Sequence, residues 1–209
     1  MNPLNTYPNI IFDLGGVIIN LSYQATIDKF SELCGRDVAA AYSQKSQVSV
    51  FDDIETGKID ANTFYNGLRL YFNIDASNEG LADAWNAMLL DIPQKRIQLL
   101  QDLKKAGKRL FLLSNTNAIH KPIFEQILEK ATGLASLDGL FEATYYSHLV
   151  GDRKPNESIF EHVLKENGLN PTETLFIEDS IQHIEAARRV GIHAYHLIPP
   201  QDIRALGLL

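Results

Sequence analysis

Apolar residues fall into five short runs along the chain: Asn9–Phe12, 109–113, 143–147, 174–177 and 192–198. The first four lack regular polar alternation, which predicts strands covered on both faces of a parallel sheet. The last alternates more and reads as an edge strand. Helical spacing separates the later runs. Residues 94–106 carry Ile97, Leu100 and Leu103 on one face, with Pro93 before and Gly107 after. Residues 155–167 carry Ile159, Phe160, Val163 and Leu164 and stop at Gly168, and 181–190 carry Ile181, Ile184, Ala187 and Val190 and stop at Gly191. Strands alternating with helices predict a doubly wound α/β sheet.

The stretch 21–91 has a different pattern, with no convincing strand. It predicts helices over 23–33 with Ser22 as cap, 39–50, 61–71 with Asp60 as cap, and 80–90. An all-helical insert of about 70 residues therefore follows the first strand, dividing the chain into a core (1–20 and 92–209) and a helical cap (21–91). Trp85, Leu81, Met88 and Leu89 share a helical face and read as the insert's own core.

Composition narrows the function classes. The 209 residues are 45% hydrophobic and 22% charged, an ordinary globular balance. A net charge of -7 argues against a nucleic-acid partner but not against a small phosphorylated substrate, because a bound cation can supply local positive charge. The apolar runs are far below the roughly 18 residues needed to cross a membrane, so no membrane association is expected. A single cysteine, Cys34, fits a reducing compartment and reads as a small core residue, and the first residues carry no secretory pattern. A cytoplasmic location is the expectation. Nothing in the sequence speaks to the oligomeric state.

Four chemical signals sit beside the apolar runs, in the place where open α/β sheets bind ligands. In Phe12-Asp13-Leu14-Gly15-Gly16-Val17, a carboxylate follows a buried strand and two glycines permit a tight turn. Such a carboxylate can attack phosphorus to form an aspartyl-phosphate. In Ser114-Asn115-Thr116-Asn117, hydroxyl, amide and backbone N–H groups can hold phosphoryl oxygens at a helix N-terminus. In Gly151-Asp152-Arg153-Lys154-Pro155, Lys154 precedes a helix expected to begin at Pro155, where a cation opposes the helix dipole. That placement suits neutralisation of a phosphoryl group or of the nucleophile, a task open to Arg153 as well. Glu178-Asp179-Ser180 puts two acids at a strand end. Asp13 and Asp179, with the main-chain carbonyl of Gly15, can supply oxygen ligands to Mg2+. Alone, each signal has a bland explanation as a cap, a turn or a solvated charge; the ordered set favours chemistry.

That ordered set resembles the haloacid dehalogenase-like hydrolase superfamily, and the insert resembles the small helical cap of one subgroup, with Phe51 to Asp60 similar to a stretch of such caps. The resemblance implies a Rossmann-like core with the first strand central, Asp13 as nucleophile, and Ser114 and Asn115 binding the transferred group. It implies that Lys154 stabilises the charged nucleophile and that Asp179 holds magnesium with Glu178 beside it, and that the cap closes over the site and helps choose the substrate.

Three positions depart from the family pattern. Gly15 stands where phosphatases of the family carry a second Asp for proton transfer, a feature resembling phosphatases of the glucose 1-phosphate type. Glu178 replaces an Asp, and His183 an Asn. Loss of a general acid/base typically costs about 10²–10⁴ in rate, less for anomeric, acyl or aryl phosphates; the candidates for water activation are water bound to magnesium, or Asp52, Asp53 or Glu55 of the cap. The expected function is a magnesium-dependent phosphatase acting on a small phosphorylated metabolite. The alternatives are a dehalogenase or phosphonate-cleaving hydrolase of the same fold, or a binding protein that lost catalysis with the second Asp.

Overall fold

The computed structural model describes residues 3–43 and 49–209. Among them, five parallel strands form one sheet: β1 (Asn9–Phe12), β2 (Arg109–Ser114), β3 (Ala143–Tyr146), β4 (Thr174–Glu178) and β5 (His193–His196), in the order β3-β2-β1-β4-β5. The central position of β1 and the edge position of β5 agree with expectation. The third strand is shorter than its apolar run, because Ser147 opens a short helix.

Strand sidedness follows from the two-residue period. Ile10, Phe12, Leu110, Leu112, Leu175 and Ile177 face one layer of the core, and Ile11, Phe111, Leu113 and Phe176 face the other. The first layer is closed by helices α6 (Gln94–Lys105) and α7 (His120–Thr132), the second by α9 (Glu157–Asn167) and α10 (Ile181–Arg189). The hydrophobic pattern had not delimited α7. In α6, Ile97, Leu100 and Leu103 are buried as expected, whereas Ile181 of α10 is exposed. The helix expected over 155–167 starts later than its pattern implied. Asn115 takes both backbone polar groups of Lys154, so α9 begins at Glu157 rather than Pro155.

Between β1 and α6 lie helices α1 (Tyr23–Cys34), α2 (Ala39–Ser43), α3 (Ser49–Glu55), α4 (Ala61–Phe72) and α5 (Asn78–Asn86). Residues 44–48 of the helix expected over 39–50 lie outside the described residues. The expected caps form: Ser22 accepts from the Ala25 N–H and Asp60 from that of Thr63. The helix expected at 80–90 is displaced towards the N-terminus, because Ser77 caps it by accepting from the Gly80 N–H. These helices share a core of their own around Phe30, Phe64, Phe72 and Trp85, with Cys34 half-buried at its margin.

The two segments joining this helical unit to the sheet run side by side. Leu21 and Leu89 form an antiparallel bridge, the Leu90 N–H donates to the Asn20 carbonyl at 3.0 Å, and the Asn20 N–H to the Asp91 carbonyl at 2.9 Å. The unit also rests on the sheet's loops. Gly57 (φ +68°) lies so close to α8 (Ser147–Val150) that a Cβ there would sit 2.2 Å from the His148 carbonyl oxygen. Among the described residues, no helix is long and apolar enough to cross a membrane.

Candidate active site

Sheet register assembles the site. Phe12 pairs with Leu112 on one side and Ile177 on the other, so the next residues, Asp13, Leu113 and Glu178, reach the carboxyl edge at one level. Lys154 enters this level from the loop before α9 and is fully buried. Its ammonium donates to Asp13 Oδ1 at 2.6 Å, Glu178 Oε2 at 2.7 Å and the Leu113 carbonyl at 2.9 Å. Three donors thus meet three acceptors. Burial opposes the charge on Lys154, but Asp13 and Glu178 outweigh it and the lysine pKa is raised.

Asn115 holds Lys154 in place. Its Nδ2 donates to the Lys154 carbonyl at 2.8 Å and its Oδ1 accepts from the Lys154 N–H at 2.9 Å. The Asn115 side chain is thus engaged with the lysine backbone. The rest of the loop is equally fixed. Ser147 Oγ grips both backbone polar groups of Thr116, and Asn117 Oδ1 caps α7 at the Ile119 and His120 N–H groups. Ser114 lines the cavity, its hydroxyl making a long 3.5 Å contact to the Asn115 carbonyl.

Glu178 uses its extra methylene to reach back on itself. Oε1 accepts from the N–H groups of Asp179 and Ser180, both at 3.1 Å, and Oε2 meets Lys154 and, at 2.9 Å, His183 Nδ1. Burial works against its ionisation, yet the Lys154 charge and the His183 hydrogen bond prevail and hold its carboxyl well below the usual range. His183 is therefore the orienting partner of an acid, a role the sequence did not indicate.

Asp13, Glu178 and Asp179 offer oxygens within 4.8 Å of one another. Burial, then the charge of Glu178, push Asp13 up to about 6 despite Lys154. Burial, then the Glu178 hydrogen bond and the charge of Asp13, push Asp179 up to about 8. One lysine does not balance three carboxylates, and a divalent cation would. Since both Glu178 oxygens are engaged, Asp13 and Asp179 are the acids suited to hold it, in keeping with the one or two carboxylates a magnesium ion takes. Gly16 (φ +69°) makes room for this pair: a Cβ there would sit 2.1 Å from Asp179 Oδ2.

At Gly15 the missing acid has been replaced by hydrocarbon. A Cβ on Gly15 would lie 2.7 Å from Leu21 Cδ1. Of the three cap acids considered for water activation, Glu55 lines the cavity. Arg153 does not face a phosphoryl group unencumbered. It pairs with Asp52, and with Glu55 at 3.1 Å. The cavity over Asp13 measures about 440 Å³ and is walled on the helical side by Leu21, Trp85, Met88 and Leu89. Trp85 stacks on His120 of α7, centroids 5.0 Å apart. Trp85 and Met88 thus serve both the insert's core and the cavity wall.

The sequence pattern of the haloacid dehalogenase-like hydrolase family matches residues 7–191, and the chain belongs to that family. It is accordingly a hydrolytic enzyme. It is similar to a D-ribitol-5-phosphate phosphatase from Bacteroides thetaiotaomicron, 26% identical over 90% of each chain. A sesquiterpene phosphatase from Aspergillus oryzae is 27% identical over 92% of this chain and 90% of its own. Among solved structures, a HAD family enzyme from Bacteroides thetaiotaomicron in complex with magnesium and inorganic phosphate superimposes with a TM-score of 0.82 at 31% identity, covering 95% of this chain and 98% of that one.

Proposed function

We propose that this hydrolase is a magnesium-dependent phosphatase acting on a small phosphorylated metabolite, with Asp13 as nucleophile. The observation that carries the reading is the Lys154 ammonium shared between Asp13 at 2.6 Å and Glu178 at 2.7 Å, beside the partly open carboxylate of Asp179. The phosphatase relatives, and the magnesium and phosphate in the similar structure, support it.

Asp13, Asp179 and the Gly15 carbonyl would hold the ion, which when bound neutralises charge on the phosphoryl oxygens. The Ser114 hydroxyl and the rigid loop after it orient those oxygens. An Asp13 carboxylate oxygen forms a bond to phosphorus as the ester P–O bond breaks. The departing oxygen takes its proton from solvent, because Gly15 carries none. Lys154 holds Asp13 in position for the attack. Water then cleaves the acyl phosphate, releasing phosphate and restoring the carboxylate.

The test is phosphate release from a panel of phosphorylated sugars, nucleotides and acyl phosphates in magnesium. Asp13→Asn is expected to abolish it. Undiminished activity in that variant would falsify the nucleophile assignment, and full phosphate release in excess chelator would sink the magnesium reading.

A further inference from the structure

The cations around the cavity above Asp13 are already paired. Arg153 is neutralised by Asp52 and Glu55, and Lys154 is consumed by Asp13, Glu178 and Leu113. His120 Nδ1 lies 2.8 Å from Asn86 Oδ1, and His183 is bound to Glu178. A second anion on the substrate would meet no cation without an acid already beside it among the described residues lining the cavity.

What the cavity does offer is hydrocarbon. Leu21, Trp85, Met88 and Leu89 from the helical unit face Ile19 and Phe124 from the core across a space of about 440 Å³, within the usual range of roughly 300–1,000 Å³ for small-ligand sites. Leu21 also packs beside Gly15, its Cδ1 2.7 Å from where a Cβ there would lie.

Resting on the phosphatase reading above, we infer that the substrate is a monophosphate ester of a neutral, largely apolar alcohol, whose hydrocarbon body packs on the Leu21–Met88–Leu89 wall while its phosphate meets Asp13. Each methylene moved from water to that wall favours binding, whereas a polyol chain of equal length sets hydroxyls against hydrocarbon.

Two primary alkyl monophosphates, n-hexyl phosphate and ribitol 5-phosphate, share the type of leaving oxygen and differ in the polarity of the body. With the intact protein and magnesium, kcat/KM for n-hexyl phosphate is expected to exceed that for ribitol 5-phosphate by about tenfold or more. Leu89→Gln, on a half-buried residue, is expected to erase most of that preference, and inhibition by inorganic phosphate reports whether the variant's site is still assembled. Equal or greater turnover of ribitol 5-phosphate overturns the inference and leaves the phosphatase reading standing. Hydrolysis of neither ester, nor of an aryl phosphate, sinks both.

Discussion

Gly16 and Asp179 approach so closely that a single methyl group on the glycine would lie 2.1 Å from the Asp179 carboxylate oxygen. The contact joins the turn after β1 to the turn after β4, the two places that supply the open carboxylates. Gly16→Ala must displace Asp179 and also strain a backbone at φ +69°. A displacement near 1 Å at a reacting centre can cost about 10²-fold. The variant is therefore expected to lose about that much kcat/KM and to need more magnesium for half-maximal activity. Unchanged magnesium titrations would show that Asp179 does not hold the ion.

Lys154→Met keeps most of the length of the side chain and removes its charge. Asp13 and Glu178 then face each other in a buried site without the cation between them. Breaking a buried ion pair from one side costs about 3–5 kcal/mol. A fall of that size in urea-unfolding stability is expected, together with loss of activity. A variant as stable as the parent would mean that the two acids take up protons at little cost.

Gly15→Asp restores the acid found in related phosphatases, but Leu21 occupies its space. Alone, the substitution is expected to lower activity. Combined with Leu21→Ala, it is expected to raise turnover of alkyl phosphates relative to aryl phosphates, within the roughly 10²–10⁴ that general acid catalysis supplies. The measurement is the dependence of kcat/KM on leaving-group basicity: steep in the parent, shallower in the double variant. An unchanged slope would place proton transfer elsewhere in the cavity.

Away from the site, Asp202 ties the C-terminal segment to α6 through Arg96 Nε at 3.0 Å and to Arg204 Nε at 2.7 Å. Burial opposes its charge, but hydrogen bonds from Arg204 and Arg96 win and hold its pKa down at about 2, against an ordinary 3.8. A lowered folded-state pKa contributes stability above the ordinary value, and that contribution is lost as pH falls through the folded one. Asp202→Asn should therefore melt below the parent at pH 6, and the difference should shrink between about pH 4 and pH 2. A gap independent of pH would assign the effect to shape rather than charge.

The legible parts of this protein were those written in local pattern. Buried strands without alternation announced the parallel sheet, and Ser22 and Asp60 announced two helix starts. The four strand-end motifs could be read because each residue's chemistry is visible by type. What stayed hidden depends on pairing across long separations. The Asn115 carboxamide does not reveal from sequence that its partner lies 39 residues away in Lys154. Arg153 looked available because its acids, Asp52 and Glu55, come from the insert. His183 carried no signal of its attachment to Glu178, and Trp85 showed its helical face but not the cavity behind it.

The paired segments at Leu21 and Leu89 carry an implication for ancestry and engineering. Both chain crossings between sheet and helical unit pass through one point, so the stretch between them is a cassette: its ends already meet, and replacing it demands no rerouting of the sheet. Because Leu21, Met88 and Leu89 belong to that cassette while Asp13, Lys154 and Asp179 do not, exchanging it is expected to alter which alcohol is recognised and to leave the proposed attacking residues in place. Selection can then change diet and chemistry separately.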